Sequence, residues 1–197
     1  MHLLERDLVV VHQKAKLVEL TNQYELQDAD GNGIGFVEEV GQSKGRKVLR
    51  ALTKFDQYLT HRLEIRDAEG RAVLTLVRPA KFMKSRVDVA DAAGAALGSI
   101  VQQNVVGKKR FTFEAPDGTV VGELLGENWR SWDFQIVDPS GTEVARVTKK
   151  WTGLLREGFT TADRYVFEAQ PALDGALRPL AFAAALAIDT ALKQDEH

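Results

Sequence analysis

The chain has 197 residues, of which 44% are hydrophobic and 27% are charged, a composition typical of a globular protein with a buried core. It contains no cysteine, which excludes disulfides, zinc–thiolate sites and a catalytic thiol. The formal net charge of −2 provides no global positive field, so nucleic acid is a disfavoured partner.

The N-terminal sequence, MHLLERDLVV, carries charges at Glu5, Arg6 and Asp7 and lacks the apolar run of a secretion signal. The longest uninterrupted apolar run, residues 180–188, is too short for a membrane span, because a helix needs about 20 residues to cross a bilayer. We therefore expect a cytoplasmic protein with no transmembrane span, peripheral at the inner membrane face if it binds membranes.

The stretch DADGNGIGFVEE fits the calcium-loop pattern D-x-[DN]-x-[DN]-G-x5-E. Its oxygen ligands would be Asp28, Asp30, Asn32 and Glu39. A calcium-binding helix–loop–helix needs a helix on each side, yet the preceding YELQ alternates with period two and the following VGQSKGRK contains two glycines. We interpret the stretch as a strand–turn–strand hairpin, with a metal site as the less favoured alternative.

The same local pattern occurs five times, as YELQDADGNGIGFV, LEIRDAEGRAVLTL, VDVADAAGAALGSI, FTFEAPDGTVVGEL and FQIVDPSGTEVARV. Each copy has apolar residues at its first and third places and a glycine at its eighth. An aspartate stands at the fifth place in four copies, and Ala115 stands there in the other. Aspartate accepts backbone N–H groups in turns and glycine adopts positive φ, so each copy predicts a β-hairpin.

Apolar residues also recur at the eleventh and fourteenth places of the five copies, an offset that a regular strand cannot keep on one face. Gly35, Gly98 and Gly122 lie between these places. A β-bulge there would restore the face and bend the strand, which favours a closed or strongly curled antiparallel sheet. The segment GQSKGRKVLRALTKFDQYLT, before the second copy, is interpreted as a loop leading into another strand.

The segment LRPLAFAAALAIDTALKQDEH is rich in alanine and predicts a helix over roughly 179–193. Between Leu180 and Ile188 it is apolar on every side, so it must be surrounded. We expect it to thread a barrel; an oligomer interface is the alternative, and the sequence does not fix the oligomeric state.

Two blocks carry a family resemblance: LVVVHQKAKLVELTNQYELQDADG, and VTKKWTGLLREGFTTADRYVFEAQPALDGALRPLAFAAALAID. The matching positions of the second block are Trp151, Gly153, Glu157, Phe159, Thr160, Asp163, Leu173, Asp174, Ile188 and Asp189. In these the chain resembles the phospholipid scramblase and LURP-one-related family, which has the Tubby C-terminal-like fold. The resemblance implies one mainly β domain over residues 1–197: a closed antiparallel barrel of about twelve strands, within roughly 8–170, around a central hydrophobic helix.

Animal members of that family carry a calcium loop before the final helix. Here Thr161 stands at its first position and Ala172 replaces another aspartate, which leaves Asp163 and Asp174 as candidate ligands. Two lost carboxylates leave a poor oxygen cage, so calcium is at best a weak cofactor and no other cofactor is expected. The four histidines are scattered and no nucleophile motif is present, which predicts a protein that is not an enzyme.

Clusters of basic residues remain, and we expect them at turns rather than at inward-facing strand positions. The candidate headgroup-binding residues are Lys81, Lys84, Arg86, Lys108, Lys109, Arg110, Arg146, Lys149 and Lys150, with Phe82 and Met83 as candidates for insertion into the membrane interface. Solvated strand ends are the simpler explanation of these charges. The predicted function is a membrane-surface or anionic-phospholipid-binding module. The alternatives are a phospholipid scramblase and a soluble scaffold or interaction domain, with nucleic acid among the partners that the second would contact.

Overall fold

The computed structural model describes residues 2–13, 22–40, 61–79, 85–104, 109–128, 132–149 and 164–192. A short 3-10 turn, Leu3–Glu5, precedes the strands β1 (Leu8–Gln13), β2 (Asn22–Gln27), β3 (Gly33–Glu39), β4 (His61–Asp67), β5 (Ala72–Arg78), β6 (Arg86–Asp91), β7 (Ala96–Gln102), β8 (Arg110–Glu114), β9 (Val120–Asn128), β10 (Asp133–Val137), β11 (Glu143–Thr148) and β12 (Arg164–Ala169). One α-helix, α1 (Leu177–Leu192), follows them.

The strands form one closed barrel in which each strand pairs antiparallel with its neighbours in the sequence. The barrel closes where β1 pairs with β12, with Leu8 opposite Glu168 and His12 opposite Arg164. The predicted mainly β fold, a twelve-stranded antiparallel barrel, is confirmed. Closure satisfies the backbone groups that an open sheet would leave unpaired at its two edges.

All five repeated stretches form hairpin turns of one geometry. The N–H of the glycine donates to the carbonyl three residues earlier at 2.9–3.1 Å, and the glycine φ lies between 80° and 86°. In four turns the aspartate Oδ1 accepts the N–H groups two and four residues later at 2.8–3.1 Å. In the turn that has Ala115 instead, Asp117 Oδ1 accepts the N–H of Thr119 at 2.9 Å.

The predicted β-bulges are present, and in all five hairpins. In the first, Leu26 lies opposite Gly35 and Gln27 opposite Gly33, so Ile34 is the extra residue. The corresponding register shifts in the other hairpins leave one residue each out of register, namely Val73, Leu97, Val121 and Val144. The bulge therefore occurs also in the two copies that lack a glycine at the twelfth place.

Helix α1 lies inside the barrel, and every residue from 180 to 187 is at most 5% exposed. The threaded-barrel interpretation is therefore confirmed, and the helix begins at Leu177, two residues earlier than predicted. The glycines at the bulges make room for its first turns. A Cβ atom at Gly98 would lie 3.1 Å from Leu180 Cδ1, and one at Gly122 would lie 2.8 Å from Leu177 Cδ1.

The two ends of the barrel differ. The turn end carries the five hairpin turns, the 3-10 turn and the beginning of α1; the loop end is where the odd-numbered strands end. At the turn end, Arg178 ties the helix to the chain before β1. Its Nε donates to the Leu4 carbonyl at 2.7 Å, its Nη1 to the Leu173 carbonyl at 2.9 Å and its Nη2 to Asp7 Oδ1 at 2.9 Å.

Candidate functional site

Four of the described cations among the predicted headgroup-binding residues lie towards the loop end. Arg86 begins β6, Lys109 and Arg110 stand at the start of β8, and Lys149 follows the end of β11, whereas Arg146 lies in the middle of β11. The other candidates lie outside the described residues: Lys81, Lys84, Lys108 and Lys150, and the insertion candidates Phe82 and Met83. Barrel topology thus places cations from β6, β8 and β11 at one end.

Ion pairs engage the three arginines of this set. Arg110 Nη2 lies 2.6 and 2.7 Å from the two carboxylate oxygens of Glu123. Arg86 Nε lies 2.7 Å from Asp88 Oδ1. These pairs are at least partly exposed, and such pairs contribute about 0–1 kcal/mol to stability. Their main consequence here is that the carboxylates offset part of the positive charge that the arginines bring to the loop end.

Arg146 is the most strongly paired of the three arginines. Its Nε donates to Glu143 Oε1 at 2.8 Å and its Nη1 to Asp133 Oδ1 at 2.8 Å. The hydrogen bond with Glu143 and the nearby carboxylate charges raise the pKa of Arg146 above its ordinary value. Cross-strand partners such as Asp133 and Glu123 are not recognisable from the sequence, since they depend on strand pairing.

Lys149 lies against an aromatic group. Its Nζ stands 4.3 Å from the centroid of the Trp132 ring, and its backbone N–H donates to the Trp132 carbonyl at 3.1 Å. The Trp132 ring also packs at 5.6 Å, centroid to centroid, on Tyr165 and edge-on at 6.1 Å to Phe134. Trp132 has φ 48°, which is unusual for a bulky residue. Sequence reasoning did not single out this tryptophan.

Four polar side chains are buried on consecutive strands near the loop end. Arg78, Ser85, Gln102 and Lys109 are 7%, 4%, 3% and 9% exposed. Strand alternation explains this, because Arg78 follows the buried Leu74 and Leu76 on one face, as Lys109 precedes Phe111 and Phe113. The expectation that the basic residues avoid inward-facing positions is therefore wrong for Lys109. When the same alternation is applied to polar residues as well, it predicts that Arg78 and Lys109 both face inward.

Hydrogen bonds link Ser85, Gln102 and Asn104 within this group of polar residues. The Ser85 N–H donates to Gln102 Oε1 at 3.1 Å, and the Gln102 N–H donates to the Ser85 carbonyl at 2.8 Å. Gln102 Nε2 then donates to the Asn104 carbonyl at 2.8 Å. Buried polar groups require such partners, and these bonds supply them for Ser85 and Gln102.

The candidate metal ligands do not converge. Asp28, Asp30 and Asn32 lie at the turn end, whereas Glu39 ends β3 at the loop end, about 20 Å away at roughly 3.3 Å per strand residue. Asp174 is exposed just before α1, and Asp163 lies outside the described residues. Among the residues that the structure describes, no group of three or more His, Asp or Glu side chains is placed to hold a metal ion.

Acidic residues predominate at the turn end. The hairpin turns and their first residues carry Asp28, Asp30, Asp67, Glu69, Asp91, Asp117 and Asp138. Arg71 lies in the same region, with its Nε 2.8 Å from Asp67 Oδ2. The barrel thus has an acidic turn end and cations at its loop end.

A family model described as Scramblase matches residues 1–192. The chain belongs to the Scramblase family. This membership confirms the resemblance drawn from the sequence, and it supports a lipid-related role. Within the described part of this Scramblase-family chain, no helix is long and apolar enough to cross a membrane.

Two individual comparisons give further similarities. The altered inheritance rate of mitochondria protein 25 of Saccharomyces cerevisiae is 26% identical over 191 residues, covering 79% of this chain and 55% of the relative. The chain thus spans about half the length of that curated relative. An Arabidopsis thaliana protein solved by X-ray crystallography matches with a TM-score of 0.52 and 15% identity, covering 92% of this chain and 88% of the other. That likeness concerns the fold.

Proposed function

We propose that this Scramblase-family protein is a non-enzymatic module that binds anionic phospholipid surfaces through the loop end of its barrel. The observation that carries the proposal is the separation of charge between the two ends. Cations stand at the loop end, and the hairpin turns at the opposite end are predominantly acidic. An anionic bilayer would attract the first and repel the second, which favours one orientation at the membrane.

The pair formed by Lys149 and Trp132 supports the loop end as the contact surface. Lys149 is exposed, and its ammonium group lies 4.3 Å from the tryptophan ring centroid. Tryptophan is enriched at membrane–water interfaces because its ring is amphipathic, and lysine supplies a charge to lipid phosphates. Arg86, Arg110 and Arg146 contribute less to the proposed attraction, since neighbouring carboxylates offset their charge.

The test is co-sedimentation with phosphatidylcholine vesicles, with and without phosphatidylserine, at low salt. Lys149→Gln removes one positive charge from the loop end, and Arg71→Gln removes one from the turn end as the matched control. A basic residue near an anionic surface contributes about 1 kcal/mol, so Lys149→Gln should weaken binding up to about fivefold. Arg71→Gln should leave binding unchanged, and added salt should weaken binding in all variants.

Two results would refute this proposal: wild-type protein that stays in the supernatant with anionic vesicles, and equal weakening by both substitutions. Repeating the sedimentation with calcium and with a calcium chelator determines whether the ion affects binding.

Transfer of lipids between leaflets is the second candidate function, favoured by membership of the Scramblase family. It is tested by reconstituting the protein into vesicles that carry a fluorescent lipid in both leaflets. A chemical quencher added outside should bleach the inner leaflet's lipid as well only if the protein transfers lipid between leaflets. Binding without transfer would support the first proposal alone.

A further inference from the structure

The first hairpin contains a pair of residues whose chemistry the proposed function does not use. Asn32 is followed by Gly33, and no other asparagine of the chain is followed by glycine. Both residues are exposed. Because glycine has no Cβ, its nitrogen approaches the preceding side chain more closely than the nitrogen of any other residue.

The strand register directs the Gly33 N–H away from β2. Asp28 and Asn32 face each other, and the Asp28 N–H donates to the Asn32 carbonyl at 2.9 Å. The next pair is Gln27 and Gly33. Hydrogen-bonded and non-hydrogen-bonded pairs alternate along an antiparallel ladder, so this second pair is of the non-bonded kind. The Gly33 nitrogen therefore lies on an exposed residue and is not engaged by the neighbouring strand.

The Asn32 side chain rests against a single carboxylate group. Its Nδ2 donates to Asp28 Oδ1 and Oδ2 at 3.2 Å each, at the upper end of the usual range. Both bonds engage the amide nitrogen rather than Cγ, the carbon to which that nitrogen is attached. Because Asn32 is exposed, a modest rotation of its side chain brings Cγ to the Gly33 nitrogen.

We propose that Asn32 is a site of spontaneous deamidation. The Gly33 nitrogen attacks Asn32 Cγ and forms a new C–N bond, which closes a cyclic succinimide. The Cγ–Nδ2 bond breaks, and ammonia departs with the proton that the Gly33 nitrogen gives up. Water then opens the ring. Cleavage between Cγ and the Gly33 nitrogen yields aspartate, and cleavage between the main-chain carbonyl and that nitrogen yields isoaspartate, so water is the co-reactant.

Either product places a second carboxylate beside Asp28. Like charges directly opposite each other on paired strands are destabilising, and the amide that donated to Asp28 is lost. Conversion also adds one negative charge to a turn end that is already predominantly acidic, so the charge difference between the two ends increases as the protein ages. The inference does not depend on the proposed membrane surface, since Asn32 lies at the opposite end of the barrel.

Peptide mapping by mass spectrometry tests this inference on the folded full chain after incubation for weeks at mildly alkaline pH. A parallel sample unfolded in guanidinium chloride gives the rate without the fold. We expect Asn32 to convert in the folded protein within about tenfold of that rate, because both residues lie at an exposed hairpin tip. An isoaspartyl methyltransferase should label the product. Asn32 that is still an amide when the unfolded sample has converted would overturn the inference.

Gly33→Ala is the matched variant, because a Cβ there makes an ordinary contact, 3.7 Å from Glu25 Oε1, and the protein should fold. Its methyl group obstructs the approach of the nitrogen to Cγ, so conversion should be at least about tenfold slower. Asn104 is the internal control, since its Oδ1 accepts the Arg110 N–H at 3.0 Å and a valine follows it in the sequence. It should remain an amide. The wild-type rate in folded Gly33→Ala, or conversion of Asn104 as fast as that of Asn32, would overturn the inference.

Asn32→Asp measures the consequence of the aspartate product. Its Tm should lie below that of the wild type at low salt, and the gap should narrow at high salt because ions screen the repulsion from Asp28. A Tm equal to that of the wild type at both salt concentrations would overturn the predicted weakening of the hairpin.

Discussion

Single carboxylates organise the hairpin turns of this barrel. Asp138 accepts hydrogen bonds from the side-chain hydroxyl of Ser140 at 2.6 Å, from the Ser140 N–H at 2.8 Å and from the Thr142 N–H at 2.9 Å. The bond with the Ser140 hydroxyl is the largest cause that lowers the pKa of Asp138 below its ordinary 3.8, and the backbone N–H groups add to it. The turn therefore favours the ionised form of this side chain.

This preference predicts a pH dependence of stability. Because the folded pKa of Asp138 lies below its unfolded value, the unfolded chain binds the proton first on acidification. The stabilisation is present above pH 3.8 and is lost as the pH falls through the folded pKa. Asp138→Ala should therefore lower the Tm at pH 7, and its difference from wild type should shrink in melts below pH 3.8.

Asp138→Asn is the conservative control for this experiment, because it keeps an oxygen acceptor without the charge. Its Tm should lie between those of wild type and Asp138→Ala at pH 7. A gap between wild type and Asp138→Ala that does not change with pH would contradict the role given to the ionised carboxylate.

The packing of the bulged strands against the central helix requires a close approach between them. Gly98 has φ 141°, and a Cβ atom there would overlap the Glu114 carbonyl oxygen and approach Leu180 of the helix. Gly98→Ala should therefore destabilise the barrel by about 1–3 kcal/mol, the usual cost of a strained backbone position. Chemical denaturation monitored by tryptophan fluorescence measures this change.

Gly33→Ala provides the matched control, since it makes the same chemical change at the start of β3. A Cβ atom there would lie 3.7 Å from Glu25 Oε1, an ordinary contact. Its free energy of unfolding should lie within about 1 kcal/mol of the wild-type value, because a surface substitution usually changes that free energy by less. Equal destabilisation by the two substitutions would mean that the close approach at Gly98 does not stabilise the packing of helix against wall.

The elements of this fold were largely predictable because their signals are local. Period-two alternation, the Asp and Gly turn positions and the apolar run of Leu180–Ile188 each act over fewer than about fifteen residues. The site was less predictable, since the partners of Arg110 and Arg146 come from neighbouring strands whose register the sequence does not state. The alternation of β8 accounts for the burial of Lys109, but the GKKR sequence is typical of an exposed turn and led to the opposite expectation.

At the scale of the whole molecule, the separation of charge predicts which end meets a membrane. The chain contains no cysteine, so single cysteines can carry a polarity-sensitive fluorophore at chosen places. Pro79 is exposed after β5 at the loop end, and Ala93 is exposed in a hairpin turn at the turn end. On anionic vesicles, a label at Pro79→Cys should become shielded from an aqueous quencher, whereas a label at Ala93→Cys should stay accessible.

The reverse pattern of shielding would contradict the proposed orientation. Equal shielding of both labels would show that the barrel has no preferred end at the membrane. Vesicles of phosphatidylcholine alone are the control, because without anionic lipid the electrostatic attraction is absent and neither label should be shielded.

The seam between β1 and β12 has a consequence for how the protein is made. Leu8 pairs with Glu168, so the last strand needed to close the wall leaves the ribosome long after the first. Helix α1, which fills the interior, emerges later still. Until then the nascent chain holds a curved sheet whose apolar inner face has nothing to cover it. Such a surface invites aggregation, so we expect the N-terminal strands made without β12 and α1 to be less soluble than the full chain.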